Sequence, residues 1–194
     1  MHKFWLFTLL TTSLYSNAKE NEIETLLIHP IFKQSYACME HWDGQFKYLG
    51  DALGTDCVIQ KLVETDGRLF SRSYKNQGYE NKDWYGWQKS VLSPCNCTVA
   101  EIFINPKENK PGIMNPGRAT SITFKKEDGS KITLAHLDNI SIKIGDKVGQ
   151  GQPVAKVGNN GYCRNPHVHI GAWKGETALQ IRFNQKEFRE AVKD

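Results

Sequence analysis

Residues 142–161 read IKIGDKVGQGQPVAKVGNNG, a run of valines and isoleucines broken at short intervals by Gly-Asp, Gly-Gln and Asn-Gly pairs. Those pairs form tight turns, and β-branched residues fit a pleated, half-buried surface. The segment therefore reads as short strands and turns, and it leaves no room for a helix. Just beyond it stands Asn165-Pro166-His167-Val168-His169-Ile170-Gly171. Alternation of histidine with β-branched residues favours a strand, in which residues i and i+2 point the same way. His167 and His169 then project side by side, with Val168 and Ile170 on the opposite face. A helix would set the two imidazoles about 200° apart. Upstream, Ile132-Thr133-Leu134-Ala135-His136-Leu137 is a second alternating stretch ending in a histidine. Three of the six histidines thus fall in one β-rich region. Paired imidazoles on a rigid strand suit a metal ligand beside a general acid/base; the plain alternative is two polar residues on a solvated strand face.

Taken together, these motifs resemble the LytM/lysostaphin-like zinc endopeptidases, the twenty-third family of metallopeptidases. The family's A-H-L strand is matched by Ala135-His136-Leu137, its Gly-Asp to Val-Gly hairpin region by residues 145–161, and its H-(L/V)-H strand by His167-Val168-His169. Val91-Leu92-Ser93-Pro94 and Thr98-Val99-Ala100-Glu101 resemble its upstream strand pair. The resemblance covers roughly residues 76–181. It implies a mainly β fold, the compact antiparallel sandwich or barrel-like duplicated hybrid motif, with short N- and C-terminal helical segments. It also implies one Zn²⁺ per chain and peptidoglycan peptides as substrate.

Carried over residue by residue, the resemblance makes His169 a metal ligand and His136 and His167 the catalytic imidazoles. Asp83 stands where the family's aspartate ligand belongs. Four residues before it the family has a histidine and this chain has Tyr79, whose phenol is a poor ligand with a pKa near 10. A catalytic zinc usually keeps three protein ligands and an open position, so a third ligand is needed. Glu80, His41 and a cysteine thiolate such as Cys163 are candidates. The missing histidine also supports a second reading, a degenerate domain that binds cell wall or regulates a partner hydrolase. Retention of Asp83, His136, His167 and His169 together speaks against it. A third reading, a biotinyl- or lipoyl-type carrier module, fails because no lysine stands in the required hairpin-tip context.

The N-terminus carries Lys3, an apolar run over residues 4–15, and Ser16-Asn17-Ala18. This is the pattern of a secretory signal peptide cut after Ala18, and the run is shorter than the ~20 residues of a membrane span. The expected location is periplasmic or secreted, with no integral membrane segment after cleavage. Loss of Lys3 would change the net charge from +4 to +3. Scattered charges of that size are no signature of nucleic-acid binding.

Five cysteines suit an exported chain, and an odd number leaves one thiol without a partner in the chain. Cys38 is expected to pair with Cys57, and either Cys95 or Cys97 with Cys163; a thiolate metal site is the alternative. The expected organisation is a signal peptide at 1–18, an N-terminal segment at 19–75 packed on the core, and a peptidase-like domain at 76–194. Apolar residues over 23–28 fit a short helix, residues 58–63 and 68–73 fit strands about Asp66-Gly67, and residues 120–124 and 131–135 fit a hairpin about Asp128-Gly129. Residues 105–117 read as a loop and 185–193 as a charged helix. The aromatics of Trp84-Tyr85-Gly86-Trp87 suit core packing, with a substrate-groove wall as the alternative.

Overall fold

The structure, a computed structural model, describes residues 22–191. The export segment expected at 1–18 lies outside the described residues. Strands dominate. In chain order they are β1 (Thr25–Ile28), β2 (Tyr36–Glu40), β3 (Thr55–Ile59), β4 (Lys61–Thr65), β5 (Arg68–Arg72), β6 (Ser90–Leu92) and β7 (Cys97–Phe103). They continue with β8 (Ser121–Lys125), β9 (Lys131–Ala135), β10 (Leu137–Asp138), β11 (Lys147–Val148), β12 (Pro153–Val157), β13 (Val168–Lys174) and β14 (Thr177–Phe183), before the helix α1 (Gln185–Ala191).

The main curled sheet runs β1-β14-β13-β9-β8-β7-β11, and β2 and β3 join it through β13. One edge of β13 pairs with β9. Its other edge is shared, with β3 along Val168–Ile170 and β14 along Ala172–Lys174. A second sheet is formed by β10-β12-β6. The hairpin β4–β5 turns at Asp66-Gly67, both at positive φ, as a twist-matched two-residue loop requires. Alternation builds the core: Cys57 and Ile59 of β3, Ile122 and Phe124 of β8, Ile132 and Leu134 of β9, and Val168 and Ile170 of β13 are all buried in one apolar cluster. The opposite face carries a row in direct register across five strands: Ser121, Ala135, His169, Asp56 and Met39. Directly opposed residues share a face, so the ladder sets Asp56 beside His169 although 113 residues separate them.

Two expectations are corrected. Residues 25–28 form a strand, not a helix. Leu26 and Ile28 are buried while Thr25 and Leu27 are exposed, and the segment pairs in parallel with β14. An edge offering a ladder outcompetes one isolated turn of helix. The disulfide framework also differs in part. Cys38 bonds Cys57 across β2 and β3, but Cys95 bonds Cys97, and Cys163 keeps a free thiol. Cys163 lies instead against Asn165 and His167 at the approach to β13. The C-terminal helix, the β8–β9 hairpin and the 105–117 loop form where the pattern indicated.

Candidate metal centre

Strand register brings the chemistry-bearing side chains to one cleft of about 520 Å³, lined by His41, Asp51, Asp56, His136, His167 and His169 with Phe46, Met114, Tyr162, Arg118 and Arg164 at its walls. His169 sits mid-ladder in β13 and Asp56 in β3. His41 follows β2, where its N–H donates to Gly54 O at 2.8 Å and extends the pairing one step beyond the strand. Two residues after Met39, it shares Asp56's face.

The three meet on the carboxylate. His169 Nδ1 is 2.9 Å from Asp56 Oδ1, and His41 Nε2 is 3.4 Å from Asp56 Oδ2. The remote ring nitrogens are held by main-chain carbonyls of consecutive residues. His41 Nδ1 donates to Asp51 O at 2.9 Å, and His169 Nε2 donates to Gly50 O at 2.9 Å, with Asp51 Oδ1 at 3.2 Å. A fixed proton on the far nitrogen leaves His41 Nε2 and His169 Nδ1 as the atoms that could coordinate a metal, the arrangement that orients metal-binding histidines. The donor atoms of His41, Asp56 and His169 lie within 4.8 Å of one another. Two imidazoles and a carboxylate fit a catalytic zinc with its fourth position open.

The 50–54 loop can lie this close only because of glycine. A Cβ on Gly171 would meet Gly50 O at 1.6 Å, and one on Gly54 would meet His169 Cε1 at 2.7 Å. Burial lowers the pKa of His169, but the Asp51 and Asp56 carboxylates outweigh it and raise the value to about 9. Burial raises that of Asp56, but hydrogen bonds from His167 and His169 outweigh it and hold the carboxyl well below the usual range. Asp51 is lowered chiefly by its hydrogen bond with His169. In the metal-free chain, therefore, a cationic imidazole faces anionic carboxylates.

The other two imidazoles stand beside this cluster, their ring centroids 4.6 Å apart. His136 follows β9 at φ 63°, a left-handed conformation unusual for a residue with a side chain. Its Nδ1 donates to Asn160 O at 2.8 Å, and its carbonyl accepts from Gly158 N at 2.9 Å. His167 Nδ1 donates to Asn165 O at 2.8 Å, and its Nε2 is 3.5 Å from Asp56 Oδ1. Both rings are thus anchored through Nδ1, which leaves Nε2 as the position that can exchange a proton.

The structure does not bring Asp83 or Glu80 to His169. Residues 81–83 form a short 3-10 turn in which the Asp83 carboxylate accepts from Asn76 Nδ2 at 2.9 Å and from the Glu80 N–H at 3.3 Å. Neither residue lines the cleft, and Tyr79 is exposed. Asp56 and Asp51 escaped sequence reasoning. The available signal was a charged residue inside an alternating strand, Gly54-Thr55-Asp56-Cys57. Trp84 packs on Tyr74 at 5.0 Å and donates to Gly78 O, away from the cleft.

Residues 86–181 match the model of peptidase family M23. No curated protein matches the chain. Similar solved structures include a putative peptidase M23 from Pseudomonas aeruginosa, 20% identical over 48% of this chain and 37% of that one, with a TM-score of 0.39. Another is the catalytic domain of lysostaphin from Staphylococcus simulans, 22% identical over 55% of this chain and 88% of that one, TM-score 0.39. A third is a zinc-containing peptidase from Vibrio cholerae, 16% identical over 73% and 49%, TM-score 0.39. The chain spans less than half the length of the Pseudomonas and Vibrio proteins. Residues 86–181 are thus a segment of the peptidase family M23 type, that of the LytM/lysostaphin-like metallopeptidases. That family is zinc-dependent and acts on peptidoglycan. No helix among the described residues is long and apolar enough to cross a membrane.

Proposed function

We propose that the chain is an exported zinc-dependent endopeptidase that hydrolyses amide bonds in peptidoglycan peptides. His41, Asp56 and His169 are its metal ligands, and His136 and His167 its acid/base pair. The observation that carries this reading is the convergence of His41 Nε2 and His169 Nδ1 on Asp56, with both far ring nitrogens held by the carbonyls of Gly50 and Asp51. Zinc, when bound, supplies Lewis acidity and lowers the pKa of the water it holds. His136 and His167, held through Nδ1 by Asn160 O and Asn165 O, turn Nε2 toward the reacting groups, where one takes a proton and the other donates one to the developing oxyanion or leaving amine. Asp56 steadies the His167 imidazolium as well as serving as a ligand. The reading of a domain that only binds wall or regulates a partner drew on Tyr79. With His41 beside Asp56, the ligand set no longer depends on that position.

Elemental analysis of the purified chain, together with release of peptides from peptidoglycan, tests the assignment against Asp56→Ala and Asp83→Ala. The expected result is about one zinc per chain, lost with hydrolysis in Asp56→Ala and retained in Asp83→Ala. Loss of zinc only in Asp83→Ala would overturn the ligand set. Stoichiometric zinc without any peptide release would overturn hydrolysis.

A further inference from the structure

Behind the two acid/base imidazoles lies a thiol that the proposed hydrolysis does not use. Cys163 is 1% exposed, and it is absent from the cleft wall although Tyr162 and Arg164 on either side line it. Its sulfur therefore cannot reach a substrate carbonyl as a nucleophile. It is not an inert core cysteine either. Sγ is 3.4 Å from His167 Nδ1 and donates to Asn165 O at 3.0 Å, the same carbonyl that accepts from His167 Nδ1. One donor atom each from Cys163, His136 and His167 lie within 4.8 Å of one another, a second cluster separate from His41, Asp56 and His169. The flanking imidazoles hold the thiol pKa at about 6, against the upward push of burial, so the thiolate is accessible at neutral pH.

We propose that Cys163, His136 and His167 form a second metal site, selective for a thiophilic divalent cation such as Cd²⁺ or excess Zn²⁺, whose occupation shuts the peptidase off. Thiolate with imidazole is a donor set for soft or borderline ions and a poor one for Mg²⁺ or Ca²⁺. His136 and His167 line the cleft, so an arriving ion meets imidazole first and sulfur behind it. Binding forms a metal–sulfur bond and metal–nitrogen bonds, and the thiol proton leaves to solvent. Nothing is oxidised or reduced. His167 gives up its Nδ1 proton to solvent and keeps the Nε2 proton, which faces Asp56 Oδ1 at 3.5 Å. Coordination through Nδ1 then leaves the ring with Nε2–H held on Asp56 and no nitrogen free to accept a proton. The ion thereby withdraws both imidazoles from acid/base work while taking none of His41, Asp56 and His169 as a ligand.

The inhibitory consequence rests on the proposed roles of His136 and His167, whereas the site itself rests on the cluster. The experiment separates the two. Zinc-loaded protein is titrated with Cd²⁺ while the ultraviolet sulfur-to-cadmium charge-transfer band and peptide release are followed together. Cys38, Cys57, Cys95 and Cys97 are bonded in pairs, so Cys163 is the one thiol that can give the band. The expected result is a band that saturates with an additional cadmium per chain while hydrolysis is lost. In Cys163→Ser the band should be absent and hydrolysis should persist at the same Cd²⁺. A wild-type chain that shows no band at saturating Cd²⁺ overturns the site, whatever the variant does. So does an unchanged band in Cys163→Ser. Loss of hydrolysis at equal Cd²⁺ in wild type and Cys163→Ser overturns the switch. If neither protein hydrolyses peptide before cadmium is added, the peptidase reading has failed, and the band still decides whether the site exists.

Discussion

Asp51 acts on the proposed metal site from outside it. Its backbone carbonyl fixes the His41 tautomer and its carboxylate backs His169 Nε2. Outer partners of ligating histidines typically govern affinity about 10–100-fold. Asp51→Ala should weaken zinc binding within that range, read by competition with a chromophoric chelator, while far-ultraviolet circular dichroism stays unchanged. The charge arrangement gives a pH dependence with a definite sign. Asp51 and Asp56 have lowered pKa values, so the stability they contribute is present above the unfolded carboxylate value of about 4 and is lost as pH falls through their folded values. His169 is raised to about 9, so its contribution is complete below the unfolded value of about 6.5 and is lost as pH rises through the folded one. Metal-free protein should therefore be most heat-stable between about pH 4 and 6.5. Zinc needs the proton off His169 Nδ1, so its affinity should fall about tenfold per pH unit on acidification below about 9. Thermal melts with and without chelator, run across pH, check both. A zinc affinity flat between pH 6 and 8.5 would show that His169 is not the ligand.

At the scale of elements, β13 carries most of the consequences. Its buried residues pack on the core, His169 faces the cleft, and Gly171 lets the 50–54 loop lie on the strand. Gly171→Ala should push the Gly50 carbonyl off His169 Nε2, destabilise the fold by about 1–3 kcal/mol as overpacking does, and lower zinc affinity as well. A variant with reduced thermal stability but native zinc affinity would show that the loop does not orient His169. This strand was legible in the sequence because alternation of histidine with valine and isoleucine has one period only. The β8–β9 hairpin was legible for the same reason, and so was the turn at Asp66-Gly67. The first strand was not, since Ile23, Leu26, Leu27 and Ile28 satisfy a helical period as well as a strand period over so short a run, and only the β14 edge decides. His136, His167 and His169, which line the cleft together, could be grouped from sequence because they lie within one stretch of motifs. Asp56 could not be, because its relation to His169 is strand register across 113 residues, which no local spacing encodes. Asp83 drew attention through its spacing, yet its carboxylate is engaged within its own turn.

On the scale of the whole molecule, the cleft is assembled from two parts of the chain. The family match covers residues 86–181 and includes His136, His167 and His169, whereas His41, just after β2, and Asp56, in β3, lie ahead of it. Those strands also cover the edge of β13 at Val168–Ile170, β1 covers the edge of β14, and the Cys38–Cys57 disulfide ties β2 to β3 one residue from Asp56. A fragment of residues 76–194 would keep the whole matched segment but expose two ladder edges and lose two of the three proposed ligands. Exposed edges pair with other chains. The fragment should therefore self-associate and retain no zinc after dialysis, where the chain containing residues 22–75 retains it. Size-exclusion chromatography followed by elemental analysis of the monomer peak makes the comparison. A monomeric fragment with stoichiometric zinc would move the metal site into the matched segment and return Asp83 to the ligand set; a monomeric but metal-free fragment would separate the two roles of the N-terminal strands, leaving them necessary for the site and dispensable for the fold.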